Sequence, residues 1–419
     1  MDERASAPRD DSDPNALPLA EARRRILAAL DTVDEIETLS LLEAHERIAH
    51  ERITAPGAVP PFRASAMDGF AYRHDEGGER LRIAGESMAG HPGPDALAPG
   101  TCQRITTGAR VPDEADTVVQ QEDVQRDGAG IVIDEVPPIG ANVRVAGSAG
   151  IEGEVLVEPG DRMGSATLAV LASHGIDRVT VTRRLRVGLL STGDELCEPG
   201  EPVGRGQIHD ANRVLLATLL RGPLVEPVDL GIVADTPEAL VERLATASRL
   251  DVLVSSGGVS VGDADHVRDV LADSGTVTLW KIAMKPGRPL AFGRLRSGPV
   301  WFGLPGNPVS AAITSLMLVV PALTVMAGGT PGEPSLARVA VLDEPLTKRP
   351  GRVEFQRGRC HTDTNGTLHV SGIGAQDSHV LRSLQRANCL VELPASSPGA
   401  ATGDTVTVLR FTDLGASPF

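Results

Sequence analysis

Between residues 185 and 329 short apolar runs alternate with helix-type segments, and no other feature of the sequence constrains the fold as strongly. Each apolar run is followed by a segment of helical periodicity: 186–190 by 210–220, 226–232 by 237–248, 252–255 by 264–272, and 300–304 by 309–326. Strands that alternate with helices favour a parallel, doubly wound sheet with helices on both faces. We therefore predict a multidomain α/β protein with its central α/β domain at residues 183–330.

The chain on the N-terminal side of this domain predicts a helical stalk with a β module inserted into it. Apolar residues recur near the helical period in 17–53, and a shorter helix is predicted at 166–173 within 148–182. Between these segments, residues 54–147 consist of short β-type runs that are broken by Gly, Pro and Asp. Residues 1–16 are polar and acidic, which predicts a disordered tail.

The chain on the C-terminal side of the central domain returns to short strands. We predict these strands at 337–342, 353–357, 368–370, 389–393 and 405–409. Thr364-Asn365-Gly366 is a plausible hairpin turn between two of them. Together these runs predict a small β-barrel at 331–419.

One stretch of the central domain, 309–327, is long and apolar enough for a membrane span to be considered. It also contains several hydroxyl side chains and a central Pro321, and it follows a strand and a loop. This setting favours a helix buried in the α/β layer, so we predict no membrane span.

The formal net charge of the 419 residues is −16, and the chain has only two Trp, one Tyr and seven Phe. A general binder of nucleic acids or anionic membranes needs a basic face, so both classes are disfavoured. An anionic ligand must instead be held by a few locally concentrated cations and backbone N–H groups. The four cysteines form no CxxC pair, which fits a reducing cytoplasm and predicts neither a zinc site nor disulfides.

Polar or glycine-rich loops follow three of the predicted strands, at 191–196, 255–265 and 305–308. In an open α/β sheet, ligands bind beyond the carboxyl ends of the strands, where these loops meet. Within the second loop, adjacent Gly257 and Gly258 permit positive φ, so successive N–H groups could hold a phosphate. A tight strand–helix turn without a ligand is the alternative.

Acidic and basic residues accompany these loops. Asp263 and Asp265 could cap the following helix, or they could hold Mg²⁺ against substrate phosphates. Lys281, Lys285 and Arg288 lie in one short run that is bent by two prolines and a glycine. In so acidic a chain this run indicates an oxyanion clamp, with a solvated turn as the alternative.

Two common enzyme classes lack their motifs in this sequence. A GxSxG elbow is absent, so covalent hydrolase chemistry is improbable, and a GxxxxGK[ST] motif is absent, so the chain is not a P-loop nucleotidase.

Six motifs taken in order resemble those of the molybdopterin molybdenumtransferase (MoeA) family, which includes the E domain of gephyrin. They are Ser-Ala-Met-Asp-Gly-Phe-Ala at 65–71, Thr-Gly-Ala at 107–109, and the segments 191–196, 257–262, 284–289 and 305–308. Each motif alone is weak, but six in order are specific, and the resemblance covers about residues 19–414.

This resemblance implies an elongated, four-domain subunit that forms a homodimer with a shared active site. The central domain is similar to the stand-alone pterin adenylyltransferases, and the β module of one subunit would lean over the central domain of the other. The implied reaction takes adenylylated molybdopterin and molybdate, uses Mg²⁺, and releases AMP and the molybdenum cofactor. Transient contacts with the adenylyltransferase and with molybdoenzyme acceptors are also implied.

The resemblance also implies roles for individual residues. The catalytic positions are Asp68, Glu195, Asp235, Asp265, Lys281 and Lys285. The substrate-binding positions are Thr107, Thr192, Asp194, Ser256, Gly257, Gly258, Ser260, Pro305, Gly306 and Asn307. The molybdate contacts are Lys285, Arg288, Ser310, Arg357 and Ser378, and the Mg²⁺ ligands are Glu195, Asp263 and Asp265.

Two positions depart from the family pattern. Arg288 stands where a lysine is common, and Ser148-Ala149 lies where family members often carry an acidic pair, so no functional carboxylate is assigned there. Three rival functions stay open: adenylylation of the pterin by ATP, a scaffold that clusters partners, and a paralogue that prefers tungsten. The N-terminal β module and the C-terminal barrel favour the metal insertase over the first rival.

Overall fold

The computed structural model describes residues 11, 13–234, 236–245, 249–257, 275–330 and 337–414, and of residues 237, 244, 245, 277 and 279 it describes only the backbone. The predicted helix at 264–272 lies outside the described residues.

The N-terminal segment contains one described helix followed by strands. Its elements are α1 (Leu19–Ala28), β1 (Ile36–Ser40) and β2 (Ile53–Thr54). The helix buries Ala22 and Ile26, which lie one turn apart on the same face. The prediction of helix over 17–53 is therefore right for α1 and wrong for β1.

The β module follows, and its described elements are short strands. They are β3 (Ala64–Ser65), β4 (Gly69–Tyr72), β5 (Leu81–Ser87), β6 (Thr101–Ile105), β7 (Thr117–Gln120), β8 (Val124–Asp127), β9 (Gly130–Ile133) and β10 (Val143–Arg144). Within the described residues, one sheet has the order β7-β4-β6-β5-β9-β8. The extent of this module as a separate domain stays a prediction.

The chain then returns to the N-terminal segment through β11 (Val155–Val157), α2 (Ser165–Ser173) and β12 (Arg178–Thr182). β12 pairs antiparallel with β1, from Ile36 opposite Thr182 to Ser40 opposite Arg178. This pairing explains why the helical period failed at 36–40. Branched side chains in both strands pack well across an antiparallel pair, and a partner about 140 residues away cannot be read from local periodicity.

The central domain is built around one twisted sheet. Its elements are β13 (Leu185–Thr192), β14 (Leu196–Cys197), β15 (Ile208–His209), α3 (Asn212–Leu220), β16 (Val225–Val233), α4 (Pro237–Ala245), β17 (Val252–Ser256), β18 (Gly275–Lys281), β19 (Met284–Lys285), β20 (Pro289–Leu295), β21 (Val300–Leu304) and α5 (Pro308–Met326). The described strands of the sheet follow the order β16-β13-β17-β21-β20-β18.

This sheet is mixed, whereas the sequence predicted a parallel one. The neighbours β16, β13, β17 and β21 are parallel, but β20 pairs antiparallel with both β21 and β18. The reason is the short connection 296–299, in which the N–H of Leu295 donates to the carbonyl of Pro299 at 2.9 Å. So short a connection closes a hairpin, because a parallel neighbour needs a crossover of a dozen or more residues.

Helices cover both faces of the sheet, as predicted. Val252 and Val254 contribute to a core shared with α3 and α5, while Leu253 belongs to a second core that includes Leu240 of α4. Alternate residues of a strand point to opposite faces, so β17 is buried on both sides and reads as a continuous apolar run.

Helix α5 is the predicted buried helix. Its length and apolar composition would also suit a membrane span, but most of it is buried inside the protein, as in the core helix of a globular domain. A π-type turn at Ser315–Val319 precedes Pro321, where the N–H of Val320 donates to the carbonyl of Ser315. Because proline has no N–H for the α-helical ladder, this local change of period accommodates it.

The C-terminal domain forms the predicted barrel-like sheet. Its elements are β22 (Arg338–Leu342), β23 (Leu346–Thr347), β24 (Val353–Thr362), β25 (Leu368–Gly372), α6 (Arg382–Arg386), β26 (Cys389–Leu393), β27 (Gly399–Ala400) and β28 (Thr405–Arg410). The order β24-β25-β22-β28-β26 closes on itself because β26 also pairs with β24. The predicted hairpin turn joins β24 to β25, with Gly366 at φ +85°.

Gly69 in the β module should not tolerate a side chain. A Cβ at this position would lie 1.8 Å from the carbonyl oxygen of Val119 in the neighbouring strand β7. We expect Gly69→Ala to lower the free energy of unfolding by about 1–3 kcal/mol or more, since backbone atoms would have to shift. Thermal unfolding measures the effect, with exposed Gly78→Ala as the control because nothing lies within 4 Å of its Cβ position. Equal midpoints for the two variants would contradict the expectation.

Candidate functional site

Three strand-end loops meet at the carboxyl edge of the central sheet. The parallel register places Ser191 of β13 opposite Ser256 of β17, and Ser256 opposite Leu304 of β21. The N–H of Gly257 donates to the carbonyl of Leu304 at 3.1 Å, so the loops after β17 and β21 begin in contact. The structure therefore brings together the loops that the sequence placed at this edge.

Gly257 shows why glycine is needed in the second loop. Its φ is +94°, and a Cβ here would lie 2.8 Å from the carbonyl oxygen of Thr192. A Cβ on Gly306 of the third loop would lie 3.9 Å from the Cα of Gly257. These two glycines leave the floor of the crevice free of side chains. The predicted Gly258 and Ser260 lie outside the described residues.

Asn212 links two of these loops and was given no role from the sequence. Its Nδ2 donates to the Oγ of Ser256 at 2.7 Å and to the carbonyl of Gly306 at 2.6 Å. As the first residue of α3, Asn212 therefore fixes the spacing between the loops after β17 and β21. In the sequence, the only indication of such a role was the position of Asn212 in the polar segment 210–213, which follows the first strand-end loop.

Ser255, by contrast, has a structural role. Its Oγ accepts a hydrogen bond of 3.0 Å from the indole Nε1 of Trp301, and both residues are buried. The hydroxyl of this residue is directed into the sheet, so it does not serve the crevice.

The turn after β13 carries two exposed carboxylates, Asp194 and Glu195. Gly193 has φ +145°, and a Cβ there would lie 2.5 Å from the Oε2 of Glu195, so the turn brings that carboxylate back over its own backbone. The described residues contain no group of three His, Cys, Asp or Glu residues placed to hold a metal. The remaining acidic positions of the prediction, Asp235, Asp263 and Asp265, lie outside the described residues.

A buried arginine that the sequence did not single out holds together three segments near this edge of the sheet. The guanidinium of Arg213 contacts the carboxylates of Asp210 at 3.1 Å and Asp229 at 2.6 Å, and it also pairs with Glu198. Burial acts to raise the pKa of Asp229, but the hydrogen bonds from Arg213 and from the N–H of Gly231 outweigh it and lower the pKa. Arg213 thus fixes α3 relative to β16 and to the segment after β14.

The predicted basic clamp packs against the N-terminal half of α5. Gly287 has φ +101°, and a Cβ there would lie 2.3 Å from the Oγ1 of Thr314 and 3.6 Å from the carbonyl oxygen of Ser310. The Nζ of Lys285 lies 3.3 Å from the Oε1 of buried Glu354 in the barrel domain. The clamp is therefore tied to the protein on two sides, while the side chains of Lys281, Lys285 and Arg288 stay nearly half exposed, so the choice between an oxyanion clamp and a solvated turn stays open.

The C-terminal barrel domain also contacts the N-terminal part of α5. The carbonyl of Ser378 accepts a hydrogen bond of 3.1 Å from the N–H of Val309, in the first turn of α5. Arg357 is only 1% exposed; its Nε donates to the Oγ of Ser383 at 3.0 Å and its Nη2 to the carbonyl of Asp377 at 3.3 Å. Burial lowers the pKa of Arg357 to about 10, which still leaves it cationic at neutral pH.

These contacts connect the segments that carry the five predicted molybdate positions. Gly287 of the clamp lies against the carbonyl of Ser310, the carbonyl of Ser378 accepts a hydrogen bond from the N–H of Val309, and Arg357 donates to the carbonyl of Asp377. That the side chains of Lys285, Arg288, Ser310, Arg357 and Ser378 share one anion stays a prediction.

Asp68 and Thr107 form a separate group in the β module. The Oδ1 of Asp68 accepts hydrogen bonds from the N–H of Thr107 at 2.7 Å and from its hydroxyl at 2.9 Å, and both bonds lower the pKa of Asp68. The contacts recorded for this pair in the described part of the chain stay within the β module. These hydrogen bonds hold Asp68 and Thr107 together within the β module.

The prediction of a disordered tail at 1–16 is wrong for the described residues 11 and 13–16. The carboxylate of Asp13 pairs with Arg288 and lies 3.7 Å from the Nζ of Lys281, and Asp11 pairs with Arg352. Low apolar content predicted disorder, but it does not reveal that Asp13 faces the basic clamp or that Asp11 faces Arg352, both of which are distant in sequence.

Three family models match successive parts of the chain. They are the MoeA N-terminal region, domains I and II, at 17–175; a probable molybdopterin binding domain at 188–325; and the MoeA C-terminal region, domain IV, at 339–411.

Similar proteins extend over nearly the whole chain. A molybdopterin molybdenumtransferase of Haemophilus influenzae is 40% identical over 406 residues, covering 95% of this chain and 99% of the relative. Gephyrin of Dictyostelium discoideum is 32% identical, covering 94% of this chain and 62% of gephyrin. The crystal structure of the molybdopterin biosynthesis MoeA protein of Pyrococcus horikoshii OT3 matches with a TM-score of 0.82 and 27% identity, over 94% of this chain and 100% of that one.

Removal of the buried guanidinium should destabilise the central domain. We expect Arg213→Met to lower the free energy of unfolding by about 3 kcal/mol at pH 7, since buried Asp210 loses its partner. The folded-state pKa of Asp229 lies below its usual 3.8. Its stabilising pair with Arg213 is therefore complete at neutral pH and is lost as the pH falls below that value. The difference in the free energy of unfolding between wild type and Arg213→Met should therefore be smaller at low pH.

Denaturant unfolding at pH 7 and at low pH measures this difference. Arg52→Met is the matched control, because Arg52 pairs with Glu158 at 2.8 Å and both are exposed. An exposed pair contributes only about 0–1 kcal/mol. A loss for Arg213→Met no larger than that of the control would show that the buried network does not stabilise the fold.

Proposed function

The chain belongs to the molybdopterin molybdenumtransferase (MoeA) family and is a transferase of molybdenum cofactor biosynthesis, and from this premise we propose the following reaction. The enzyme inserts molybdenum from molybdate into adenylylated molybdopterin, the adenylate is cleaved with the help of Mg²⁺, and AMP and the molybdenum cofactor leave. The observation that supports the proposal is the meeting of three strand-end loops at one edge of the sheet, with the basic clamp and a barrel segment both in contact with the helix that follows the third loop.

The phosphate end of the substrate is proposed to lie on the glycine floor of the crevice. Gly257 and Gly306 keep side chains away from this surface, and Asn212 holds their loops together. The proposed contacts are Thr192, Asp194, Ser256, Gly257, Gly258, Ser260, Pro305, Gly306 and Asn307. Glycine at the floor matters because a phosphate must approach the backbone closely to use its donors.

Molybdate is proposed to bind between the clamp and the barrel. It is a tetrahedral dianion, so it needs cations and hydroxyl or N–H donors from several directions. Lys285, Arg288 and Arg357 supply positive charge, and Ser310 and Ser378 supply donors. Arg357 is the notable member of this set, because burial holds its guanidinium in place and strengthens its field.

The protein is proposed to act mainly by placing two anions side by side. The cations of the clamp offset their mutual repulsion, and alignment of the reactants can account for a large part of the barrier. Lys281 and Lys285 would stabilise charge that develops at phosphorus and at molybdate, and Glu195, Asp235 and Asp265 would act on the adenylate side. The dithiolene sulfurs of the pterin would replace one oxo group of molybdate, whose oxygen leaves as water with the two thiol protons, and a water molecule would attack phosphorus so that AMP leaves.

Mg²⁺ fits part of the donor set. Asp194 and Glu195 are exposed hard oxygen donors at the edge where the phosphates are proposed to lie, as Mg²⁺ requires. We propose Glu195, Asp263 and Asp265 as the residues that would hold the ion. When bound, Mg²⁺ would offset phosphate charge and polarise phosphorus.

Asp68 and Thr107 are proposed to serve the crevice of a second subunit. Their mutual hydrogen bonds hold a lowered-pKa carboxylate at an exposed loop of the β module, beside exposed Met67. A homodimer with a shared active site would use this carboxylate.

The central domain is proposed to have the fold of pterin adenylyltransferases. The protein is proposed to work in the cytoplasm, with transient contacts to the pterin adenylyltransferase and to molybdoenzyme acceptors.

The direct test incubates the full-length protein with adenylylated molybdopterin, molybdate and Mg²⁺. AMP release and reconstitution of an apo-reductase are measured together. We expect release of AMP that depends on molybdate, with active cofactor formed. Tight pterin binding without either product would contradict the proposed reaction, and consumption of ATP with metal-free pterin would favour adenylylation instead. A higher rate with tungstate would identify the tungsten-preferring alternative.

Loss of the clamp lysine should impair the reaction more than it impairs folding. We expect Lys285→Met to lower molybdate-dependent AMP release roughly 10²-fold, the usual effect of removing one electrostatic contact to the transition state. Because Lys285 also pairs with buried Glu354, the thermal midpoint of each variant is measured in parallel.

Two further variants separate the possible outcomes. Lys285→Arg keeps the positive charge and should recover part of the activity, whereas exposed Arg296→Met removes a cation in the hairpin connection 296–299 and should behave as wild type. Full activity of a folded Lys285→Met protein would exclude Lys285 from the site.

A further inference from the structure

The segment before α1 lies along the basic clamp. The N–H of Leu17 donates to the carbonyl of Lys281 at 2.7 Å, and the N–H of Ala283 donates to the carbonyl of Leu17 at 2.8 Å. The two bonds form a short parallel bridge between Leu17 and Ile282. The main chain near residue 17 is therefore fixed to the clamp itself.

Asp13 presents its carboxylate to two cations of the clamp. Its Oδ2 pairs with the guanidinium of Arg288 and lies 3.7 Å from the Nζ of Lys281. Its Oδ1 accepts a hydrogen bond of 2.9 Å from the N–H of Asn15, which orients the carboxylate. The side chain is only 15% exposed, although Lys281 and Arg288 are both nearly half exposed. The bond from Asn15 and the one from Arg288 lower the pKa of Asp13, so it is an anion at neutral pH.

A second acidic residue extends the same segment to the barrel. Asp11 pairs with Arg352, and its N–H donates to the carbonyl of Pro350 at 2.9 Å. Arg352 lies one residue before the strand β24 that pairs with β19 of the clamp. Residues 11 and 13–17 thus bridge the two domains that together form the proposed oxyanion site.

The carboxylate of Asp13 pairs with cations that the proposed function assigns to the binding of substrate. Arg288 is a proposed molybdate contact and Lys281 a proposed catalytic cation, and both face Asp13. A carboxylate and an oxyanion compete for the same guanidinium, since both are anions that accept its charge-assisted hydrogen bonds.

We propose that Asp13 is an internal competitor of the oxyanion, and that it lowers the affinity of the clamp until substrate displaces the segment of residues 13–17. This inference rests on the proposed function of the clamp. Competition acts on the ligand-free protein, so it weakens the binding of every oxyanion by the same factor. That property separates it from a direct contact between Asp13 and one particular substrate.

Calorimetric titration of the full-length protein with molybdate and, separately, with tungstate tests the proposal. We expect Asp13→Asn to lower the Kd roughly five-fold for both ions, the scale expected when two partly exposed ion pairs are removed. Asp13→Glu keeps the competing charge and should stay near wild type.

Asp31→Asn is the matched control. Asp31 also joins the N-terminal segment to the central domain, through Arg294 at 3.0 Å, but at the far end of β20 from the clamp. The control removes the same charge and one Asp–Arg pair, so its Kd should equal that of wild type. An unchanged or higher Kd for Asp13→Asn would overturn the proposal, because Asp13 would then have no effect or would assist binding.

Hydrogen exchange at the amides of Leu17 and Ala283 gives an independent reading. We expect saturating molybdate to accelerate their exchange, since displacement of Asp13 frees the segment, and persistent protection would overturn the proposal. Failure of the underlying function has a different signature: neither oxyanion would bind wild type or any variant. If both oxyanions bind wild type but Asp13→Asn does not lower their Kd, the competitor role of Asp13 is wrong while the proposed function of the clamp stands.

Discussion

The short parallel pairing of β19 with β24 is the contact on which the arrangement of the site depends. It places Met284 opposite Val353 and Lys285 opposite Glu354, so two residues of a connecting loop become part of the barrel sheet. Together with the hydrogen bond between Val309 and Ser378, it fixes the clamp of the central domain relative to the barrel that carries Arg357. Since the buried carboxylate of Glu354 lies beside Lys285, the pairing also sets the electrostatics of the clamp.

Charge is the second constraint on this molecule. A chain of net charge −16 repels anions at long range, so an oxyanion site must concentrate several cations in one place. Arg213 illustrates the opposite use of a cation, because three carboxylates surround it and it serves only to hold elements together. Arg357 is satisfied by a hydroxyl and backbone carbonyls, which leaves its charge available.

The sequence predicted correctly those elements that have a local pattern of apolar runs and polar loops. The alternation of apolar runs and loops located β13, β17 and β21, and the strand-end loops do meet at one edge. Pairings between residues that are distant in sequence could not be predicted from such local patterns. The hairpin of β20 and β21, the partnership of β1 with β12 and the contact of Asp13 with Arg288 each depend on residues that are distant in sequence or on a short connection. Asn212 and Arg213 were visible only as polar residues near the edge, since their roles depend on partners in three different segments.

The packing of Gly287 against α5 has a consequence for catalysis. Because the loop touches the Oγ1 of Thr314 closely enough to exclude even a Cβ, its position is set by steric contact and does not require a bound anion. The cationic groups of the clamp therefore start from a preorganised backbone, so any rearrangement on binding falls on the Asp13 segment and not on the clamp loop. A single methyl group at position 287 would clash with Thr314 and force this support to shift.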